Sequence, residues 1–340
     1  MEYDYIHTIR YMGNKNKLLS AIIPEIENVT KPGDVVCDLM AGTNSIGYAL
    51  KKRNKIISND IQFYSYVIGS FMLGNDVPPN KAKAHLELDD YFDENVAEKR
   101  YSFFVDNYTD TYFSGEQCLE IDSFRYAIDN APKKNKWFYL TVLMSVMCKA
   151  QSTTGHFAQF MDKSHKRIIP LRALSIYKLF YEKIDEFKDF VVSDFDNVCF
   201  NLDFNQLLSD PIMKTVKCIY VDSPYTSDQY SRFYHVLETV CKYDNPVLEH
   251  KAKYRNDRPM SDFCYKNKVL GEFEKIISFG SKNNCPLVIS YSNHGVIPPD
   301  KILEVGKKYY KDCEIKYIDF EHSSQGKGTI EINEVIIVLK

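Results

Sequence analysis

Short apolar runs that end in an acid recur along this chain, separated by segments in which apolar residues return every three or four positions. Val35-Val36-Cys37-Asp38 reads as a buried strand, Leu39 to Thr43 as a small-residue turn, and the residues that follow as a helix with Asn44 or Ser45 at its N-cap. Lys55-Ile56-Ile57-Ser58-Asn59-Asp60 repeats the arrangement, and Ser65 to Leu73 carries apolar residues on one side of a helix. From Asp76 to about Asp189 the pattern turns helical and aromatic, through Glu87 to Glu98, Tyr101 to Val105 and the long run Trp137 to Met147. Strand-like alternation resumes near Val191 and continues at Lys217 to Asp222, Pro286 to Tyr291 and Glu334 to Leu339, interleaved with helices at Phe233 to Cys241 and Phe273 to Phe279. The pattern predicts an α/β fold in which 1–75 and 190–340 build one discontinuous sheet domain and 76–189 form a mainly helical insertion.

The chemistry concentrates where these strands end. Cys218 to Val221 delivers Asp222, Ser223, Pro224 and Tyr225 together, a set suited to a flat ring bearing an amine. The carboxylate accepts one N–H, a carbonyl held by Pro224 accepts the second, and Tyr225 stacks on the ring face. Asp60 stands 22 residues after Asp38, close to the spacing at which a βαβ unit places a carboxylate on ribose hydroxyls. The turn after the first strand has Gly42 and Gly47 but no GxGxxG, so a nucleoside without phosphates fits it better than a dinucleotide.

Five segments in this order resemble the adenine-specific DNA methyltransferases of the Dam-like group, which use S-adenosylmethionine. Arg10 to Leu19 is similar to the family's N-terminal cofactor motif, Asp38 to Gly47 to its cofactor loop, Asn59-Asp60 to its ribose-binding acid, Leu202-Asp203-Phe204 to the pair that holds the cofactor's adenine, and Asp222 to Tyr225 to its catalytic motif. The resemblance implies a Rossmann-like methyltransferase sheet with an inserted, mainly helical target-recognition domain. It implies cofactor contacts from Tyr11, Lys15, Asp38, Met40, Ala41, Gly42, Thr43, Asn44, Asp60, Asp203 and Phe204, with Tyr11 and Lys15 closing over the methionyl end. Asp222 and a carbonyl of Ser223 or Pro224 would then hold the amine of an extruded adenine, with Tyr225 on its face and no metal required. Met40, Asn44 and Ser223 depart from the family's usual Phe, Gly and Pro. A cytosine-N4 or RNA amino-methyltransferase would use the same tools. A cofactor-binding, DNA-binding module without turnover is the reading that Asn44 and Ser223 suggest.

Composition narrows the partners. With 340 residues and 44% hydrophobic content the chain can bury a large core and a smaller one, and its nine scattered cysteines form no CxxC pair, which favours reduced core thiols. No run of 18 apolar residues appears and the N-terminus is acidic and aromatic, so the expectation is a cytoplasmic protein with no membrane span and no signal peptide. The net charge of −3 argues against binding DNA by bulk electrostatics, so local basic clusters must meet the phosphates of double-stranded DNA. Lys133 to Lys136 is one cluster, Lys163 to Arg172 with Lys166 and Arg167 a second, and Lys251, Lys253 and Arg255 with Arg258 a third. In the insertion, Ala150 to Phe160 reads as a polar loop able to read base edges or fill the gap left by a flipped base, with Ser152, Thr153, Thr154 and His156 as the candidates; the plainer reading is a connector after a helix. Resemblance to a modification enzyme also implies a cognate restriction endonuclease as a possible partner.

Overall fold

The computed structural model describes residues 3–162, 164–319 and 333–340. Met1, Glu2 and Lys163, on which parts of the sequence reading fall, lie outside the described residues. The central sheet has seven strands, and a two-stranded hairpin stands apart. In chain order the strands are β1 (Val35–Asp38), β2 (Lys55–Asn59), β3 (Val198–Phe200), β4 (Val216–Asp222), the hairpin strands β5 (Leu248–Glu249) and β6 (Tyr254–Arg255), then β7 (Leu287–Ser292), β8 (Cys313–Asp319) and β9 (Asn333–Leu339).

The sheet runs β3-β2-β1-β4-β7-β9-β8. Its strands are parallel from β3 to β7, and β9 pairs antiparallel with both β7 and β8. This is a mixed α/β, Rossmann-like arrangement, as the pattern and the resemblance lead one to expect. Near-continuous apolar strands suit a sheet covered on both faces. Adjacent residues go to opposite sides: Cys37, Ile57, Ile219 and Ile289 join one apolar cluster, while Val36, Ile56, Cys218 and Val288 join the other. Strand order reverses between β1 and β4, and the carboxyl ends of strands beside such a switch point leave a crevice for a ligand.

The middle of the chain is helical, as its pattern predicts. Lys81–Glu98, Gly115–Asn130, Lys136–Ala150 and Ile176–Ile184 are its longer helices. Lys136–Ala150 is apolar nearly all round and correspondingly buried, and Trp137 packs edge-on against Phe63 and Tyr66 at its start. These helices share one apolar cluster with Tyr64, Val67, Ile68 and Phe71 of the helix Phe63–Met72 and with Val236, Leu237 and Val240 of the helix His235–Lys242.

Some boundaries differ from the sequence reading. The single helix expected over Phe233 to Cys241 is two, Tyr230–Phe233 and His235–Lys242, because Tyr234 leaves the helical region (φ −122°, ψ 17°) and its hydroxyl accepts the Met12 N–H at 2.7 Å. Strand structure resumes at Val198 rather than Val191; the Val191 N–H is taken by the Tyr48 hydroxyl and the Ser193 hydroxyl by the Lys51 carbonyl, so that stretch is spent on side-chain bonds instead of a ladder.

The helix Phe63–Met72 has no capping side chain at its own N-cap, Gln62. Glu238 supplies one from across the core: its carboxylate accepts from the Phe63 and Tyr64 N–H groups at 3.2 and 3.0 Å and pairs with Lys242 at 2.7 Å. Glu238 is buried. Glu238→Ala therefore leaves two helix-end donors unsatisfied, and thermal or urea denaturation should record a loss of about 1 to 3 kcal/mol.

Candidate active site

The carboxyl ends of β1, β2 and β4 open onto a cleft of about 260 Å³. Asp38, Asp60 and Asp222 leave these three strands, and Asp203 enters from the residues after β3. Asn59 ties the edge together. Its amide donates to the Leu39 and Leu202 carbonyls at 3.2 and 3.1 Å, and its oxygen accepts from the Leu202 N–H, so the ends of β1, β2 and β3 are fixed relative to one another.

Two glycines let the backbone close on the cleft. Gly42 has φ +51°, and a Cβ there would stand 3.1 Å from the Tyr11 ring; Gly13 has φ +76°, and a Cβ there would stand 3.2 Å from the Tyr225 hydroxyl. Tyr11 in turn stacks on Tyr234 with 4.7 Å between centroids. Asp60 holds the Gly42 turn, accepting from the Gly42 N–H at 2.9 Å and the Gln62 N–H at 2.8 Å. Burial pushes its carboxyl up to about 6 against the pull of those two bonds. Asp38 is buried more completely: burial first, then the charges of Asp222 and Asp60, hold its pKa well above the usual carboxylate range, and its Oδ1 has no hydrogen-bond partner.

At the end of β4 a buried cation meets two acids. Lys15 Nζ lies 2.9 Å from Asp222 Oδ1 and 3.0 Å from Glu334 Oε1, and donates to the Gly13 carbonyl at 3.3 Å. Glu334 Oε1 also accepts from the Ser290 hydroxyl at 2.8 Å. Burial disfavours the Lys15 charge, but the attraction of Asp222 and Glu334 outweighs it and the ammonium is held well above its ordinary pKa. Asp222 is pushed up to about 6, by burial first and by Glu334, with Lys15 pulling the other way. The Tyr225 ring stands 5.5 Å from Lys15 Nζ and edge-on to Tyr291.

Most of the residues singled out from sequence meet here. Tyr11, Lys15, Asp38, Met40, Ala41, Gly42, Thr43, Asp60, Asp203, Phe204 and Asp222 to Tyr225 all line the cleft. Asn44 does not. It takes φ +59° at the N-cap of the helix Ser45–Leu50, and its buried amide donates to the Ser65 carbonyl and accepts from Ser58, so it braces the loop from behind. Asp203 caps the short helix Phe204–Leu208 with its own side chain.

The DNA-contact candidates divide. Lys166, Arg167, Lys251 and Thr154 are exposed, while Lys253 and His156 are half-buried. Ser152 and Thr153 are buried instead, because Ser152 donates its N–H to the Tyr112 carbonyl and Thr153 bridges to Phe160 and bonds Gln151; they are not placed to read base edges. His156 packs at 4.6 Å on Phe233, which matches the plainer connector reading. Arg255 is 1% exposed, with its guanidinium bonded to Asp244 and Asp257 at 2.7 to 2.9 Å. It is a brace for the β5–β6 hairpin and not a free phosphate contact.

Several lining or supporting residues have no place among the sequence candidates. Glu334 had a signal: a lone acid at the head of the apolar run Val335 to Leu339 is costly unless it is paired. Tyr230 and Tyr234 follow the Asp222 motif closely in sequence but have no periodic signature. Gln229 and Ser261 exchange bonds of 3.0 and 2.7 Å between distant segments, and nothing local foretells that.

A model of the D12 class N6 adenine-specific DNA methyltransferases matches residues 11–309. The chain belongs to this family. Curated relatives are similar over most of its length. Modification methylase LlaI of Lactococcus lactis subsp. lactis is 30% identical over 98% of this chain and 55% of the relative, and Modification methylase StsI of Streptococcus sanguinis is 27% identical over 97% and 51%. Type II methyltransferase M.NlaIII of Neisseria lactamica is 27% identical over 89% of both chains. The chain thus spans about half the length of the first two relatives and most of the third. Within this D12-class site, Glu334→Gln removes a negative charge beside Asp222, so the Asp222 titration midpoint should fall below about 6, read by carbon-13 NMR of labelled aspartate.

Proposed function

We propose that this chain transfers a methyl group from S-adenosylmethionine to the N6 amine of adenine in double-stranded DNA. The observation that carries this reading is the meeting of Asp222-Ser223-Pro224-Tyr225 with Asp38, Asp60, Asp203 and Phe204 in one cleft, within a chain of the D12 class. The Dam-like resemblance rests on the five ordered motifs, and the family match supports the broader class. The relatives' names as modification methylases support a place in restriction and modification, and a cognate endonuclease as partner and a cytoplasmic location belong to the proposal. Among the described residues no helix is long and apolar enough to cross a membrane.

The donor set suits the cofactor. Asp38, Asp60, Asp203, Asp222, Asp262 and Glu272 line the cleft against the lysines Lys15 and Lys275, and one oxygen of Asp38 is buried without a partner. A cationic ligand offsets the repulsion among such acids. Bound there, S-adenosylmethionine supplies an electrophilic methyl on a good leaving group. Asp60 is assigned to the ribose hydroxyls, Phe204 to the face of the cofactor's adenine and Asp203 to its amine through Oδ2, since Oδ1 is engaged by Asn205. Lys15 already satisfies its donors on Asp222, Glu334 and Gly13, so its part is to hold Asp222 rather than to grip the methionyl end.

An exocyclic amine on adenine is a weak nucleophile because its lone pair is delocalised, so it must be held in line and drawn toward tetrahedral geometry. Asp222 Oδ1 is anchored to Lys15, which leaves Oδ2 to accept one N–H. The second goes to the Ser223 or Pro224 carbonyl, since the Tyr225 carbonyl is occupied by the Val296 N–H at 2.9 Å. The Tyr225 ring stacks on the extruded base, an interaction worth about 1 to 3 kcal/mol in comparable sites.

Methyl transfer to adenine-only and cytosine-only duplexes tests the reading, and transfer confined to cytosine would replace it. Asp222→Asn, which keeps an oxygen for Lys15 but replaces the accepting Oδ2 with an amide, should abolish transfer while calorimetry finds cofactor affinity nearly unchanged.

Asp60 carries a different expectation. Its carboxyl titrates at about 6, above the ordinary 3.8, so the acceptor form prevails above that pH and is lost below it. Cofactor affinity measured by calorimetry should therefore fall as pH drops through about 6. Asp60→Ala should bind more weakly by about 1.5 to 3 kcal/mol and lose that part of the pH dependence.

A further inference from the structure

Next to the cleft, on the segments that frame it, two arginines are mounted on one aromatic ring. The guanidinium carbons of Arg232 and Arg258 lie 5.6 and 4.9 Å from the centroid of Tyr254. Arg232 donates Nε–H to the Tyr254 hydroxyl at 3.1 Å, and Arg258 donates Nε–H to the Arg255 carbonyl at 2.8 Å. The ring itself is fixed: Tyr254 is buried, its hydroxyl donates to the Ala158 carbonyl at 2.6 Å, and His235 packs edge-on against it. Beneath it, the ion pairs of Arg255 with Asp244 and Asp257 hold the hairpin.

Arg255 and its two neighbours differ in what they bond. Arg255 is enclosed by carboxylates, whereas among the described residues neither Arg232 nor Arg258 forms an ion pair with one. Arg232 is exposed and Arg258 half-buried. Each has its Nε engaged, which leaves the terminal nitrogens of the guanidinium clear of carboxylates and removes much of the rotamer freedom that an arginine must otherwise lose on binding. Both stand beside the cleft in the chain, since Ser231 and Pro259 line it, and the Gln229–Ser261 bonds clasp these two segments together.

We propose that Arg232 and Arg258 form a preorganised phosphate clamp that grips the DNA backbone beside the extruded base. The proposal rests on the DNA-methyltransferase reading and adds which cations hold the backbone. A guanidinium fork matches phosphate oxygens bidentately, and two forks on one ring suit neighbouring phosphates on a single strand. The backbone contact expected at Arg255 thus passes to the two arginines packed on the ring of Tyr254.

The test is the salt dependence of binding to a duplex of a length that covers the site. The double variant Arg232→Gln, Arg258→Gln should keep the cofactor affinity of the wild type, bind duplex more weakly, and lower the log-log salt slope by about 0.9 for each phosphate that is no longer neutralised. Arg232→Gln alone, at an exposed position that folding tolerates, should lower the slope by one such step. An unchanged slope and affinity in these variants, with the wild type binding duplex normally, would overturn the clamp and leave the methyltransferase reading intact. Failure of the wild type to bind or methylate duplex DNA would overturn both.

Discussion

The site depends on one buried ammonium. Lys15 belongs to a segment outside the sheet, Asp222 closes a parallel strand, and Glu334 opens the antiparallel β9. The reversed direction of β9 matters, because only a strand that runs the other way brings its first residues to the edge where the parallel strands end. Taking charges out of water costs several kcal/mol per ion, and the arrangement is favourable only while each partner is present. The N-terminal segment is thereby locked over the cleft, with Gly13 against Tyr225 and Tyr11 against Tyr234. The same cation fixes which oxygen of Asp222 is spent on structure and which is left for a ligand.

The sequence departures at Asn44 and Ser223 have different local outcomes. Asn44 accepts the left-handed backbone that the turn demands, and asparagine tolerates it better than most residues. It then uses its amide to bond Ser65 and Ser58, and the helix Phe63–Met72 approaches so closely at Gly69 that a Cβ there would meet Asn44 Oδ1 at 2.7 Å. The missing glycine has become a packing element of the loop. Ser223 is buried with its hydroxyl unpartnered, so the serine adds no bond that replaces the stiffness of a proline.

What could be read from the sequence follows from how local each signal is. Strands β1, β2 and β4 were legible because they run apolar into an acid and β7 and β9 as buried apolar runs, whereas β8, with its exposed positions at the sheet edge, went unread; the ordered motifs placed eleven positions from Tyr11 to Phe204, of which Asn44 alone stands behind the cleft instead of in it. Boundaries failed where bonds between side chain and backbone reach across the sequence: the Tyr234 hydroxyl holds the Met12 N–H, the Tyr48 hydroxyl takes the Val191 N–H, and the Ser193 hydroxyl donates to the Lys51 carbonyl. The basic clusters were the least legible. Arg255 in a run of lysines reads as a solvated cation, and only the fold brings Asp244 and Asp257 around it. Ser152 and Thr153 read as loop polarity, yet their polar groups are consumed by the chain's own backbone and side chains.

Charge is segregated in a way that net charge conceals. Six acids face the cleft while exposed Arg232, Lys166, Arg167 and Lys251 lie outside its lining. An acid-lined cleft repels phosphate, so under the proposed function a DNA backbone would stay outside it. On that proposal the strand would offer the interior an uncharged base, and the acids would favour a cationic nucleoside beside it. The overall −3 thus conceals a cluster of acids at the cleft and exposed cations outside its lining. For the proposed reaction, that segregation would draw a neutral base amine and a cationic methyl donor into the same cleft and keep the polyanion that carries the base at its rim.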